Sequence, residues 1–123
     1  MGRQPTPAEL AVLNVIWEQG PVTVRQVHTE LKQSKPMGYT TVLKIMQIMH
    51  KKGLVKRDEG ARAHIYTATS GAHSTRGQLL RDMVKRAFGG SRSGLILHAL
   101  EEDVSAQEIA EIRKVLDQLD GAG

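Results

Sequence analysis

A chain of 123 residues with 17 Lys/Arg, 13 Asp/Glu and no cysteine is one ordinary domain or a small domain with an appendage, and it excludes disulfides, thiolate metal sites and thiol nucleophiles. Aromatics make up only 3%, so aliphatics, methionines and Trp17 must fill the core, and no apolar run approaches the ~20 residues of a membrane span. The net charge of +4 is uneven: residues 1–72 hold ten Lys/Arg against five Asp/Glu and residues 73–123 hold seven against eight, which points to a polyanionic partner for the first part or to a plain solvated basic surface.

Thr6-Pro7-Ala8-Glu9 reads as a helix start. Thr6 caps, Pro7 suits the first helical position because its missing N–H needs no partner, and Glu9 closes a capping box. Leu10, Leu13 and Trp17, helped by Ile16, continue one apolar face with Asn14 as its polar exception, and Gly20-Pro21 ends the helix. Thr23-Val24-Arg25-Gln26 opens a second helix by the same capping logic, with Val24, Val27 and Leu31 on one face through about Lys32. Residues 33–38 carry turn formers and lead to a third helix, completing a helix-turn-helix pair.

The third helix begins at Tyr39 and sorts its side chains onto two faces. Val42, Ile45, Met46 and Met49 fall at i, i+3, i+4 and i+7 and make an apolar stripe. Thr40, Lys44, Gln47 and Lys51 fall on the other side. That outward face holds a hydroxyl, an amide and cations but no carboxylate, which suits a polyanionic groove with hydrogen-bonding base edges. Ile48 also points outward, at ~240° from Val42, where it either meets a thymine methyl or packs under the following hairpin. Gly53 stops the helix. Leu54–Arg57 and Ala63–Ala68 then read as strands joined by the loop 58–62, with Ile65 facing the core and Tyr66 packing along the other side. A basic helix that ends in Gly and feeds a β-hairpin is the layout of a winged helix-turn-helix.

Beyond Ser70-Gly71, a helix is expected from His73 to Phe88, ended by Gly89-Gly90-Ser91. Residues 93–100 form a short, very apolar segment. Ser105-Ala106-Gln107-Glu108 opens a last helix through about Leu119, with Ile109, Ile112, Val115 or Leu116, and Leu119 on its face. Elements this small cannot bury Leu79, Leu80, Met83, Leu95, Ile96, Leu97, Leu100, Ile112, Leu116 and Leu119 among themselves. These ten are read as homodimer contacts, with packing onto the N-terminal domain as the alternative.

The expected fold class is therefore mainly α with a small β-hairpin: a winged helix-turn-helix DNA-binding domain over 1–71 and a helical dimerisation region over 72–123. The candidate DNA-binding residues are Arg25, Tyr39, Thr40, Thr41, Lys44, Gln47, Lys51, Lys52 and Arg62. Thr40, Thr41 and Lys44 lie at the helix end that normally enters the major groove. Lys51, Lys52 and Arg62 are phosphate candidates, Arg25 clamps a phosphate beside the second helix's N-terminal amides, and Tyr39 offers its hydroxyl to a phosphate or packs on the second helix. The histidines are scattered and no catalytic or phosphate-loop motif occurs, so neither an enzyme nor a metal or cofactor site is expected. The N-terminus lacks the apolar region of a secretory signal, and a cytoplasmic location without membrane insertion is expected. A winged helix serving only as a protein-interaction module is the competing class.

Tyr39-Thr-Thr-Val42, Lys51-Lys-Gly-Leu-Val55, Arg62-Ala-His-Ile-Tyr66, Glu9-Leu10 with Val15-Ile-Trp17, and Ser93-Gly-Leu-Ile-Leu-His-Ala-Leu100 together resemble the penicillinase-repressor family of BlaI, MecI and CopY-type regulators, over about residues 5–119. The resemblance implies a dimeric winged-helix repressor on a palindromic operator of resistance or stress genes, held together by its C-terminal helices. In the β-lactam branch of the family, a membrane sensor-protease system leads to a cut between Asn and Phe in the short C-terminal helix. This chain departs from that pair with His98-Ala99, so the region of Leu97, His98 and Ala99 corresponds to the cut without its residues. The copper branch senses metal through C-terminal cysteines, and this chain has none.

Overall fold

The computed structural model describes residues 4–60 and 62–121; the sequence readings placed on residues 1–3, on Ala61 in the hairpin loop and on the last two residues lie outside them. In order, the elements are α1 (Pro7–Gln19), α2 (Val24–Leu31), α3 (Tyr39–Lys52), β1 (Val55–Asp58), β2 (Ile65–Ala68), α4 (Ala72–Ala87), α5 (Arg92–Ala99) and α6 (Ala106–Gly121). The architecture is mainly helical with one small hairpin, as the sequence predicts. Two compact units are formed, Met1–Leu79 and Leu80–Gly123. The expected boundary after residue 71 precedes α4, whereas the units divide inside it. The first turns of α4 are tied to α1: the Arg76 guanidinium lies 5.5 Å above the Trp17 ring and donates to Asn14 Oδ1 at 3.3 Å.

In the first unit, α1 is more deeply enclosed than a one-faced stripe allows. Val12, Leu13, Val15 and Ile16 are all buried, and Leu10 and Trp17 lie only partly covered at the edges of the expected face. Both capping boxes form. The Thr6 hydroxyl accepts from the Glu9 N–H while Glu9 accepts from the Thr6 N–H, and Thr23 and Gln26 repeat the exchange at α2. Val24, Val27 and Leu31 of α2 and Val42, Met46 and Met49 of α3 complete the helical core.

Gly53 adopts φ 81°, a left-handed conformation that a side chain would strain. Its N–H reaches the His50 carbonyl and the Leu54 N–H reaches the Met49 carbonyl, the paired bonds of a Schellman stop. Leu54 is thereby consumed in ending α3, which is why the strand begins at Val55 and not at the expected Leu54. β1 and β2 pair antiparallel, with Arg57 opposite Tyr66 and Asp58 opposite Ile65. Val22 adds a further backbone pair on the far side of β2, exchanging bonds of 3.1 and 2.7 Å with Tyr66.

That pairing reverses one expectation. Tyr66, not Ile65, faces the core, being 1% exposed while Ile65 is only half-buried. Directly opposed residues share a sheet face, so the pairing with fully buried Val22 sends the Tyr66 ring inward and fixes the alternation.

Glu9 is the one buried charged residue of the described chain, and it has a partner from the far end of α3. Lys52 Nζ donates to Glu9 Oε2 at 2.8 Å. Burial pushes the Glu9 carboxyl up, but the bonds from Lys52 and Thr6 outweigh it and hold the group below its ordinary value of 4.5. A carboxyl depressed in the folded state stabilises above its unfolded value, and that contribution is lost as pH falls through the folded one. Glu9→Gln is therefore expected to lower stability by about 1–3 kcal/mol at neutral pH. The gap to wild type should narrow steadily below pH 4.5 in melts taken from pH 7 to pH 3; a gap independent of pH would show the ion pair to be unimportant.

In the second unit, Gly89 (φ 56°) and Gly90 (φ 87°) turn the chain between α4 and α5, and Ser91 caps α5 by accepting from the Gly94 N–H at 2.9 Å. Ser105 and Glu108 form the expected capping box at α6. No residue of α4, α5 or α6 is buried.

Candidate nucleic-acid interface

The rigid part of the candidate interface is α3, anchored by Val42, Met46 and Met49, each 0% exposed. On its other side Thr40, Thr41, Lys44, Gln47 and Lys51 are all exposed. No acidic residue occurs anywhere in the helix, and His50, Lys51 and Lys52 occupy its last turn. The N-terminal turn, which bears Thr40 and Thr41, has Gly38 as its cap and no side-chain bond to the first amides. Its free N–H groups and positive dipole end therefore add to an anion-attracting surface.

Two of the grooves that flank this face, both within the first unit, hold most of the candidate residues. One is lined by Arg25, Tyr39 and Arg62 together with Thr23, Val24, Leu43, Ala63, His64 and Tyr66, so three candidates from distant parts of the sequence meet there. The Arg25 guanidinium lies 5.9 Å from the Tyr39 ring centre, and His28 meets the same ring edge-on at 5.8 Å. Tyr39 thus packs against α2, one of the two roles that the sequence left open, and remains 43% exposed. The other groove runs between α3 and β1 and is lined by Lys44, Gln47, Ile48, His50, Lys51 and Arg57. Ile48 is 48% exposed and is not covered by the hairpin.

Lys52 departs from the other candidates. Its ammonium is engaged by Glu9 and points to α1, which makes it a structural cation. Arg57 and His50 line the groove beside Lys44, Gln47 and Lys51, and sequence reasoning passed over both. Arg57 follows from no periodicity: it is fixed by the hairpin register opposite Tyr66, whose hydroxyl, with the Glu59 carboxylate, raises the guanidinium pKa. Arg57 Nε donates to Glu59 Oε2 at 2.8 Å and holds that carboxyl below the usual range. Part of the wing's negative charge is thereby neutralised beside the groove. Asp58 is turned inward on its own loop, accepting from the Gly60 N–H at 2.9 Å.

Among the described residues, no group of three or more His, Asp or Glu is placed to hold a metal ion, and no helix is long and apolar enough to cross a membrane.

The sequence profile of the family described as Penicillinase repressor matches residues 5–118. The chain is 35% identical over 114 residues to the Transcriptional regulator BlaI of Mycobacterium tuberculosis, spanning 91% of this chain and 82% of that protein. It is 23% identical over 113 residues to the Penicillinase repressor of Staphylococcus aureus, spanning 91% and 90%. Among solved structures, the Bacillus licheniformis BlaI monomeric form in complex with the blaP half-operator superposes with a TM-score of 0.51 and 25% identity, over 58% of this chain and 88% of that one.

Proposed function

The chain belongs to the penicillinase-repressor family, whose members are DNA-binding transcriptional repressors and not enzymes, and from that premise we propose that it acts as a homodimer on a palindromic operator, controlling resistance or stress genes. The observation that carries this reading is the α3 face: exposed, free of carboxylates, and held rigid by a fully buried stripe on its reverse. Thr41, Lys44 and Gln47 meet base edges, with Thr40 beside them. Lys51 and Arg62 meet phosphates, and Arg25 with Tyr39 clamps a further phosphate at the start of α2.

The dimer is supported by the second unit. Leu80, Met83, Ile96, Leu97, Leu100, Ile112, Leu116 and Leu119 are all at least 36% exposed in the single chain, a large amount of apolar surface to leave in water. Leu79 and Leu95, the other two residues of the expected set, are half-buried. Release from DNA follows from loss of the dimer. Leu97, His98 and Ala99, in α5, are the proposed cut region, and a membrane sensor-protease system would be the source of the signal.

Selection of duplexes from a random library, followed by a salt titration on the winner, tests the reading. One preferred palindrome and a steep fall of log affinity with log salt are expected. Weak, flat binding without preference would instead make this winged helix a protein-interaction module. The two neighbouring lysines should separate in the same titration. Lys51→Ala should reduce the salt slope by about one unit per subunit at little cost to folding. Lys52→Ala should leave the slope unchanged and lower the melting temperature, because it orphans buried Glu9. Equal slope losses would return Lys52 to the phosphate contacts.

A further inference from the structure

Ile48 is a large aliphatic side chain of α3 that the core does not use. It is 48% exposed, while Val42, Met46 and Met49 of the same helix are fully covered. At ~100° per residue it stands ~240° from Val42, between Lys44 at ~200° and Thr41 at ~260°. Ile48 therefore lies within the face that carries the candidate base contacts, and it lines one groove with Lys44, Gln47 and Lys51.

A cationic groove has no use for an aliphatic group if its purpose is only to hold phosphates. Phosphate oxygens and most base edges are polar, and an isoleucine set among them desolvates without forming a bond. The floor of the major groove offers one apolar group, the 5-methyl of thymine. Resting on the DNA-reading role given above to α3, we propose that Ile48 reads a thymine methyl and is a specificity-determining residue of the operator contact. Ile48 follows Thr41 by seven positions, which is ~10 Å along the helix, or about three base-pair steps. The thymine it reads lies about that far from the base pair touched by Thr41, once in each half-site.

Deoxyuridine tests this directly, because it differs from thymidine only by that methyl. The duplex selected by the full-length protein is resynthesised with each thymine replaced in turn, and binding is followed by fluorescence anisotropy for wild type, Ile48→Ala and Ile48→Val. A replacement in one half-site should weaken wild type by about threefold to fivefold, and the same replacement in both half-sites by roughly tenfold or more. The same replacement should leave Ile48→Ala nearly unaffected, with Ile48→Val between the two, so that the losses are not additive. Because the side chain is exposed, both variants should melt within a few degrees of wild type. Equal deoxyuridine losses in wild type and Ile48→Ala, or none at any position, would overturn the inference while leaving the selected operator intact. Failure of the wild-type protein to select any duplex would instead remove the DNA-reading role, and this inference with it.

Discussion

Removing residues 93–123 is expected to lower operator affinity by about 10²–10⁴-fold while leaving the winged domain folded. Every buried hydrophobic residue, from Val12 to Tyr66, belongs to the unit Met1–Leu79, so the deletion removes no core contact. What it removes is α6 and nearly all of α5, with the exposed Ile96, Leu97, Leu100, Ile112, Leu116 and Leu119. A dimer binds its second half-site intramolecularly, at an effective concentration set by the linkage; separate subunits must bind from solution. The full chain should therefore prefer a two-site operator strongly over a half-site. The truncated chain should sediment as a monomer and bind each half-site independently, with an unchanged melt of the remaining domain. Dimeric sedimentation and full affinity in the truncated protein would sink the proposed assembly and the proposed mode of release together.

The helices were legible wherever a local rule sufficed. Thr6/Glu9, Thr23/Gln26 and Ser105/Glu108 announce three helix starts through bonds that close within four residues, and the structure forms all three. The two faces of α3 follow from periodicity alone, because one side of that helix packs and the other does not. Reading failed where position depends on partners distant in sequence. Val12 and Val15 are buried because α1 is covered on more than one side, which a single stripe does not reveal. Tyr66 turns inward because Val22, far upstream, pairs with its backbone. Lys52 looked like its neighbour Lys51, yet Glu9 claims it across 43 positions. Arg57 enters the α3 groove through strand register, a property with no helical signature. The apolar surplus of the last helices was visible as composition before any side chain could be placed.

Tyr66→Ala should cost about 3–5 kcal/mol, a large share of the ~5–15 kcal/mol that holds a domain of this size together. The ring is 1% exposed and is among the largest fully buried side chains, in a core otherwise made of valines, leucines, methionines and Ile16, with no other aromatic among the buried residues described. Truncation leaves a cavity that short β-branched neighbours such as Val22 and Val55 cannot reach across to fill. It also removes the side chain that stands opposite Arg57 in the hairpin register, so the loss extends from the core to the strand that borders the groove beside α3. Tyr66→Phe separates the two effects: it keeps the ring, removes the hydroxyl, and should cost only about 0.5–1.5 kcal/mol in urea unfolding. If the Ala variant melted within a degree or two of wild type, the ring would not be in the core, and the Val22 pairing that orients the hairpin would be wrong. A Phe variant that folds normally but binds DNA more weakly would show that the hydroxyl contributes to binding beyond the packing of the ring, on the strand where Arg57 stands opposite Tyr66.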